Sequence, residues 1–186
     1  VNPYKRIGEA LRAFARFRES YAEARYILVG SVSPHYNLAE EIGRLGLQDA
    51  VTVTGYVSHE DFGHYVAAAD LCFNGRYPSA GETSASLLRL LGAGRAVLVS
   101  DIATFSELPR DVAAHVPIGP TETALIAAYA ERLWEDAALR TALEANARRF
   151  VAENHTLEGA AAGYAAFLAR AYGWNEAPQI ARPPLW

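Results

Sequence analysis

The segment Arg76-Tyr77-Pro78-Ser79-Ala80-Gly81-Glu82-Thr83-Ser84-Ala85-Ser86 concentrates groups suited to holding an anion. It lies between an apolar run, Asp70 to Phe73, and a stretch of helical periodicity from Glu82 to about Leu91. Gly81 permits close backbone approach, and Thr83, Ser84 and Ser86 carry hydroxyls. The amides of a first helical turn face outward at the positive end of the helix dipole. A diphosphate fits such a cradle. Ordinary capping by Ser79, Thr83 or Ser84 is the plain structural alternative for the same residues.

A second signal is Lys5. The chain carries 17 basic residues, and Lys5 is the only lysine among them. An ammonium is a compact point charge that serves phosphate well, where a guanidinium offers a planar fork. A solvated lysine at a helix start is the alternative. The histidines point nowhere in particular: His59 and His64 are about 140° apart around a helix and share no face for a metal, so no metal site is expected. No Ser-His-Asp or Cys-His arrangement forms a known motif. Cys72, the only cysteine, sits in an apolar run and reads as a small buried hydrophobe.

These groups need elements to hold them, and the chain alternates helical and strand patterns. Ile7, Ala10, Leu11, Phe14, Phe17 and Tyr21 recur at three and four, which predicts a helix from Lys5 to Ala24. A strand follows over Tyr26 to Val29, closed by Gly30. The sequence continues with a helix from Asn37 to Leu45, a strand from Val51 to Thr54, a helix from Ser58 to Ala69 and the strand Asp70 to Phe73. After the loop and the helix beginning at Glu82 come a strand over Ala96 to Ser100, a short helix near Thr104 to Leu108 and a strand at Ala113 to Val116. Strands separated by helices of this length require crossovers and give a parallel sheet covered on both faces. The pattern changes beyond Gly119 to helices over Thr121 to Trp134, Asp136 to Glu153 and Leu157 to Tyr172, with a tail from Pro178. The expected fold is a doubly wound α/β domain, with residues 1–119 as its core, 120–174 as helices packed on it and 175–186 as a tail. Such sheets bind ligands beyond the carboxyl ends of their strands.

Composition narrows the function. The chain has 186 residues, 51% apolar and 20% charged, within the range of ordinary globular domains. A net charge of −4 without long charged runs argues against nucleic acid as a partner. No apolar stretch approaches the ~20 residues of a membrane span. No secretory leader opens the chain and no disulfide can form within it, which fits a cytoplasmic protein, with a membrane-peripheral setting allowed for a longer parent. The lack of methionine, together with Val1 at the start, suggests a piece of a longer protein.

Motifs in order along the chain carry a resemblance. They are Asn2-Pro3-Tyr4-Lys5-Arg6-Ile7, Tyr26-Ile27-Leu28-Val29-Gly30, Val51-Thr52-Val53-Thr54-Gly55-Tyr56-Val57, Ala68-Ala69-Asp70-Leu71, Pro78-Ser79-Ala80-Gly81-Glu82, Gly92-Ala93-Gly94-Arg95-Ala96-Val97-Leu98-Val99-Ser100 and Ser106-Glu107. Together they resemble the C-terminal half of GT-B glycosyltransferases of the large retaining family with a Glu-x7-Glu motif, over residues 1 to about 172. The resemblance implies a Rossmann-like domain that holds a nucleoside diphosphate sugar, with no cofactor and no metal. A preceding N-terminal domain would bring the acceptor site, so this chain alone is expected to be inactive. It also implies that the central first strand lies upstream of Val1, leaving a gap that closes by pairing of its neighbours, is filled by another chain, or weakens the domain.

The resemblance assigns roles residue by residue. Lys5 matches the lysine on the donor diphosphate, and Glu82 matches the first motif glutamate, on the sugar hydroxyls. Gly81, Thr83 and Ser84 would line the phosphate cradle. Tyr56 and Val57 match the position that accepts the base, and Gly30 a weaker phosphate loop. Arg89 stands where the second glutamate is expected when Gly94 fixes the alignment. A guanidinium donates but cannot accept, so Arg89 would either donate to ribose or phosphate or be structural. A non-catalytic Rossmann-like module that binds a nucleotide or a partner is the alternative function.

Overall fold

The computed structural model describes residues 1–174, so the tail at 175–186 lies outside the described residues. Its strands are β1 (Tyr26–Leu28), β2 (Val51–Val53), β3 (Leu71–Asn74), β4 (Ala96–Ser100) and β5 (Ala114–Val116). The α-helices are α1 (Ile7–Ser20), α2 (Leu38–Arg44), α3 (His59–Ala68), α4 (Ala85–Gly92), α5 (Glu122–Glu135), α6 (Ala137–Asn154) and α7 (Leu157–Tyr172). The alternation expected from the sequence is present, and every ladder between these strands is parallel.

β4 explains the layering. All five of its residues are buried, and their side chains alternate between two faces. Val97 and Val99 pack with Leu87, Leu90 and Leu91 of α4 and Ala147 of α6. Ala96 and Leu98 pack with Ala13 of α1 and with Ile126, Ala127 and Leu133 of α5. The helices therefore cover both faces, the arrangement a fully apolar strand demands. A third cluster joins Leu11, Phe14 and Phe17 of α1 to Leu28 of β1 and to Leu38 and Ile42 of α2.

The sheet is not continuous. β1 pairs with β2 in one sheet, and β3, β4 and β5 form another in that order. Between β1 and β3 lies a groove of about 920 Å³, lined by Tyr26, Leu28, Leu71 and Phe73 with Phe14 and Ile126 from the covering helices. Of the three outcomes the resemblance left open, closure by direct pairing of β1 with β3 does not occur. At the rim of the groove the Val1 amine donates to Ser31 O, and Ser33 N donates to Val1 O at 2.8 Å.

Two helix starts differ from the expectation. The helix predicted from Lys5 begins at Ile7, because Pro3–Lys5 form a separate 3-10 turn and Arg6 adopts a left-handed conformation (φ 58°, ψ 32°) between the two. The helix predicted from Glu82 begins at Ala85, because Gly81 is left-handed (φ 83°) and Ser84 is the residue that caps. Lys5 and Glu82 thus both lie on turns that precede helices, beyond the reach of the helical ladder.

Candidate functional site

The loop after β3 and the turn before α1 are clamped together. Tyr77 N donates to Tyr4 O at 2.7 Å. The Arg6 guanidinium lies 5.7 Å from the Tyr77 ring, and that of Arg76 lies 5.5 Å from the Tyr4 ring, so cation and aromatic residues interleave across the junction. Arg6 is in turn held by the buried Glu122 at the start of α5, donating from Nε (2.9 Å) and from a terminal amine to the two carboxylate oxygens. The Lys5 turn is therefore fixed from both sides.

Lys5 is half-buried and carries a depressed pKa, first because burial disfavours its charge and second because Arg76 repels it. No carboxylate among the described residues offsets these effects. Its ammonium sits 5.1 Å from the Tyr4 ring. A half-buried cation placed beside another cation is a site at which an anion is favoured.

Glu82 lies across the same junction. Its carboxylate accepts from Ala80 N at 2.8 Å and Ser79 Oγ at 3.3 Å, and it forms an ion pair with Arg76. The backbone carbonyl of Glu82 accepts from Thr104 Oγ1 at 3.1 Å, which ties the loop to the segment after β4. Arg76 is the functional group that the sequence reading left without a role. It is 5% exposed, its backbone amide donates to Ser100 Oγ at 2.9 Å, and its guanidinium also faces the Phe105 ring at 5.5 Å. The available signal was an arginine placed directly after an apolar strand and ahead of Gly81 and Glu82.

The remaining candidates divide into those near this junction and those apart from it. Thr83 is exposed beside it. Ser84 is buried, and its hydroxyl accepts from Leu87 N at 3.3 Å and contacts Asn74 and Ser86, so that hydroxyl is engaged in capping. Gly81 is required by its φ and not by close approach, since a Cβ there meets nothing within 4 Å. Gly30 and Gly55 form an isolated bridge at the ends of β1 and β2, and Tyr56 projects from that bridge 86% exposed, with Val57 half-buried beside it. The groove between β1 and β3 separates these strand ends from the Glu82 loop.

Arg89 lies on the α3 side of α4. Its terminal amine donates to His59 Nδ1 at 2.8 Å, which fixes the imidazole proton on Nε2, and its guanidinium lies 6.0 Å from the Phe62 ring. The three line a shallow pocket of about 190 Å³. Among the described residues no group of three or more His, Cys, Asp or Glu is placed to hold a metal ion. No helix among them is long and apolar enough to cross a membrane. The Cys72 thiol is pushed up to about 12 by burial, which leaves it unreactive at neutral pH.

The chemistry on offer is thus the binding of a polyanion by Lys5 and Arg76, with a carboxylate beside them to accept hydroxyls. Comparison with known proteins gives the family and the fold. The family model described as "Glycosyl transferases group 1" matches residues 1–150. The alpha-D-kanosaminyltransferase of Streptomyces kanamyceticus is 26% identical over 151 residues, covering 81% of this chain and 38% of that protein. The structure of Anabaena HepE in complex with UDP-glucose matches with a TM-score of 0.80 at 19% identity, over 91% of this chain and 46% of that one. The C-terminal domain of a glycosyl transferase group 1 family protein (LpcC) from Francisella tularensis matches with a TM-score of 0.72 at 16% identity, over 84% of this chain and 83% of that one. These likenesses show the fold: a Rossmann-like α/β domain of the GT-B kind.

Proposed function

Since the chain belongs to the group 1 glycosyltransferases, we propose that it is the donor-binding half of an enzyme that transfers a sugar from a nucleoside diphosphate sugar to an acceptor with retention. The observation that carries this reading is Lys5, half-buried beside Arg76 with no carboxylate among the described residues to balance it. As the bond from sugar to phosphate breaks, negative charge develops on the leaving diphosphate. Lys5 and the first-turn amides of α4, with Gly81 and Thr83 shaping the approach, stabilise that charge without a metal. Glu82 accepts hydrogen bonds from the sugar hydroxyls. The base rests at Tyr56 and Val57, next to the Gly30–Gly55 bridge, and Arg89 donates toward the ribose from its place on His59.

The chain spans 38% of its curated relative and under half of HepE. In this proposal the acceptor site belongs to a further part of the enzyme, and this chain alone transfers no sugar. One feature favours a second reading, a nucleotide-binding module without chemistry: Arg89 is already engaged by His59 and offers no acceptor to ribose. Assays of the full-length protein decide between them. Transfer should fall by at least about a hundredfold in Lys5→Ala, if a site of this kind contributes as oxyanion-type stabilisation does elsewhere. Undiminished transfer by Lys5→Ala and Glu82→Ala would remove both residues from the reaction.

A further inference from the structure

Glu82 sits on an exposed loop, yet both its backbone and its side chain are tied to one turn from another part of the chain. Thr104 Oγ1 donates to the Glu82 carbonyl at 3.1 Å, across 22 residues of sequence. The Glu82 carboxylate pairs with Arg76, and the Arg76 guanidinium lies 5.5 Å from the Phe105 ring. Thr104 and Phe105 are neighbours in the 3-10 turn Ala103–Phe105, which follows β4. Because Glu82 is exposed, water could satisfy its carbonyl. The bond from Thr104 therefore sets a position and does not rescue a buried group.

The turn itself is firmly anchored. Phe105 is 1% exposed within the core that α4 and β4 share. At the base of the turn, Asp101 N donates to Val116 O on β5 at 2.8 Å, and the Asp101 carboxylate accepts from Arg110 at 3.0 and 3.3 Å. Between these anchors Ala103 adopts a positive φ of 48°, a conformation that disfavours any residue with a Cβ. Such a conformation persists where surrounding contacts over-determine it, and it concentrates at functional sites. A threonine hydroxyl in a turn commonly bonds backbone close by in sequence. That of Thr104 reaches across to Glu82 instead.

We propose that Thr104 is a positioning residue for the sugar end of the donor: by holding the Glu82 backbone, it fixes where the Glu82 carboxylate presents its oxygens to the sugar hydroxyls. This role rests on the donor-site reading above, in which Glu82 accepts from the sugar, and extends that site to the turn after β4. A threonine that merely closed a loop would, when altered, change the affinity of every ligand alike or of none. One that positions Glu82 is felt by a sugar-linked nucleotide and not by the free diphosphate.

The test is calorimetric titration of the full-length protein with UDP, GDP and ADP and with UDP-glucose, GDP-mannose and ADP-glucose, repeated on Thr104→Val, Thr104→Ser and Glu82→Ala. Thr104→Val keeps the shape of the side chain and removes its donor. Affinity for the sugar-linked nucleotide should fall about threefold to tenfold, the worth of one hydrogen bond, while that for the free diphosphate changes by less than about twofold. Thr104→Ser, which keeps the hydroxyl, should recover most of the loss. If Thr104→Val fails to fold, Thr104→Ala gives the same reading. Equal weakening of both ligands by Thr104→Val, or no weakening, overturns the role of Thr104 alone when Glu82→Ala still weakens the sugar-linked nucleotide selectively. A Glu82→Ala variant without that selective effect, or no binding of any of the six ligands by the unsubstituted protein, overturns the donor-site reading beneath it.

Discussion

The pair Arg6–Glu122 gives the sharpest test of how the Lys5 turn is held, because truncating its two members should have unequal effects. The Glu122 side chain is 2% exposed and is bonded by Arg6 at both carboxylate oxygens. Arg6→Ala would leave that carboxylate buried and unpaired, a change that destabilises by about 3–5 kcal/mol. The reverse truncation is milder. In Glu122→Ala the guanidinium, 20% exposed, keeps Glu9 at 3.0 Å and reaches water, so only charged hydrogen bonds are lost, about 1.5–3 kcal/mol. For a chain of this size these become midpoint decreases of roughly 10 °C and roughly 5 °C. Thermal and urea unfolding followed by circular dichroism measure both, and the double variant should lose less than the sum of the singles. A Glu122→Ala variant less stable than Arg6→Ala would refute the asymmetry. An Arg6→Ala variant within about 0.5 kcal/mol of the unsubstituted chain would show that the pair contributes nothing net.

Other expectations concern pH and the groove. Because burial and Arg76 depress Lys5 below its ordinary 10.5, diphosphate affinity should decline with rising pH sooner than for an exposed lysine; Lys5→Arg should move the decline to higher pH, and identical profiles would contradict this. His115, buried beside Asp101 at 3.4 Å, has a pKa lowered from 6.5 by burial first and by Arg110 second, against the opposing pull of Asp101. The unfolded chain therefore takes up the proton first, so this contribution to stability is complete above 6.5 and is lost as pH falls from there toward the folded value. His115→Gln should flatten that part of the pH–stability curve. A protein extended ahead of Val1 by an apolar strand should unfold at a higher temperature than the 186-residue chain, since the bare edges of β1 and β3 would then be paired. A proline-interrupted extension should give no such gain, and equal midpoints would contradict a strand in the groove.

Where local pattern and tertiary contact agree, the sequence is legible. β4 lies over Ala96–Ser100 and α7 over Leu157–Tyr172, as the apolar runs and periodicity require. The start of α4 was not legible, because Ser79, Thr83 and Ser84 are all competent caps. The choice falls to Ser84 through Asn74 on β3, a contact between residues ten apart in the chain. Lys5 stood out as the only lysine and Glu82 was marked by the family resemblance, but their connection was not legible. It runs through Arg76, whose burial depends on Tyr4 and Phe105 from distant segments. The resemblance implied a central strand upstream and left open how its place is taken, whereas the split of the sheet and the groove appear only in three dimensions.

The central claim is that Lys5 and Glu82 face a nucleoside diphosphate sugar. Calorimetric titration of the protein with UDP, GDP and ADP, repeated on Lys5→Ala and Glu82→Ala, addresses it most directly. The account predicts that one diphosphate binds, that Lys5→Ala weakens it by about tenfold or more, and that Glu82→Ala weakens the sugar-linked donor more than the free diphosphate. Binding that is indifferent to Lys5→Ala, or no binding to any of the three, would contradict it.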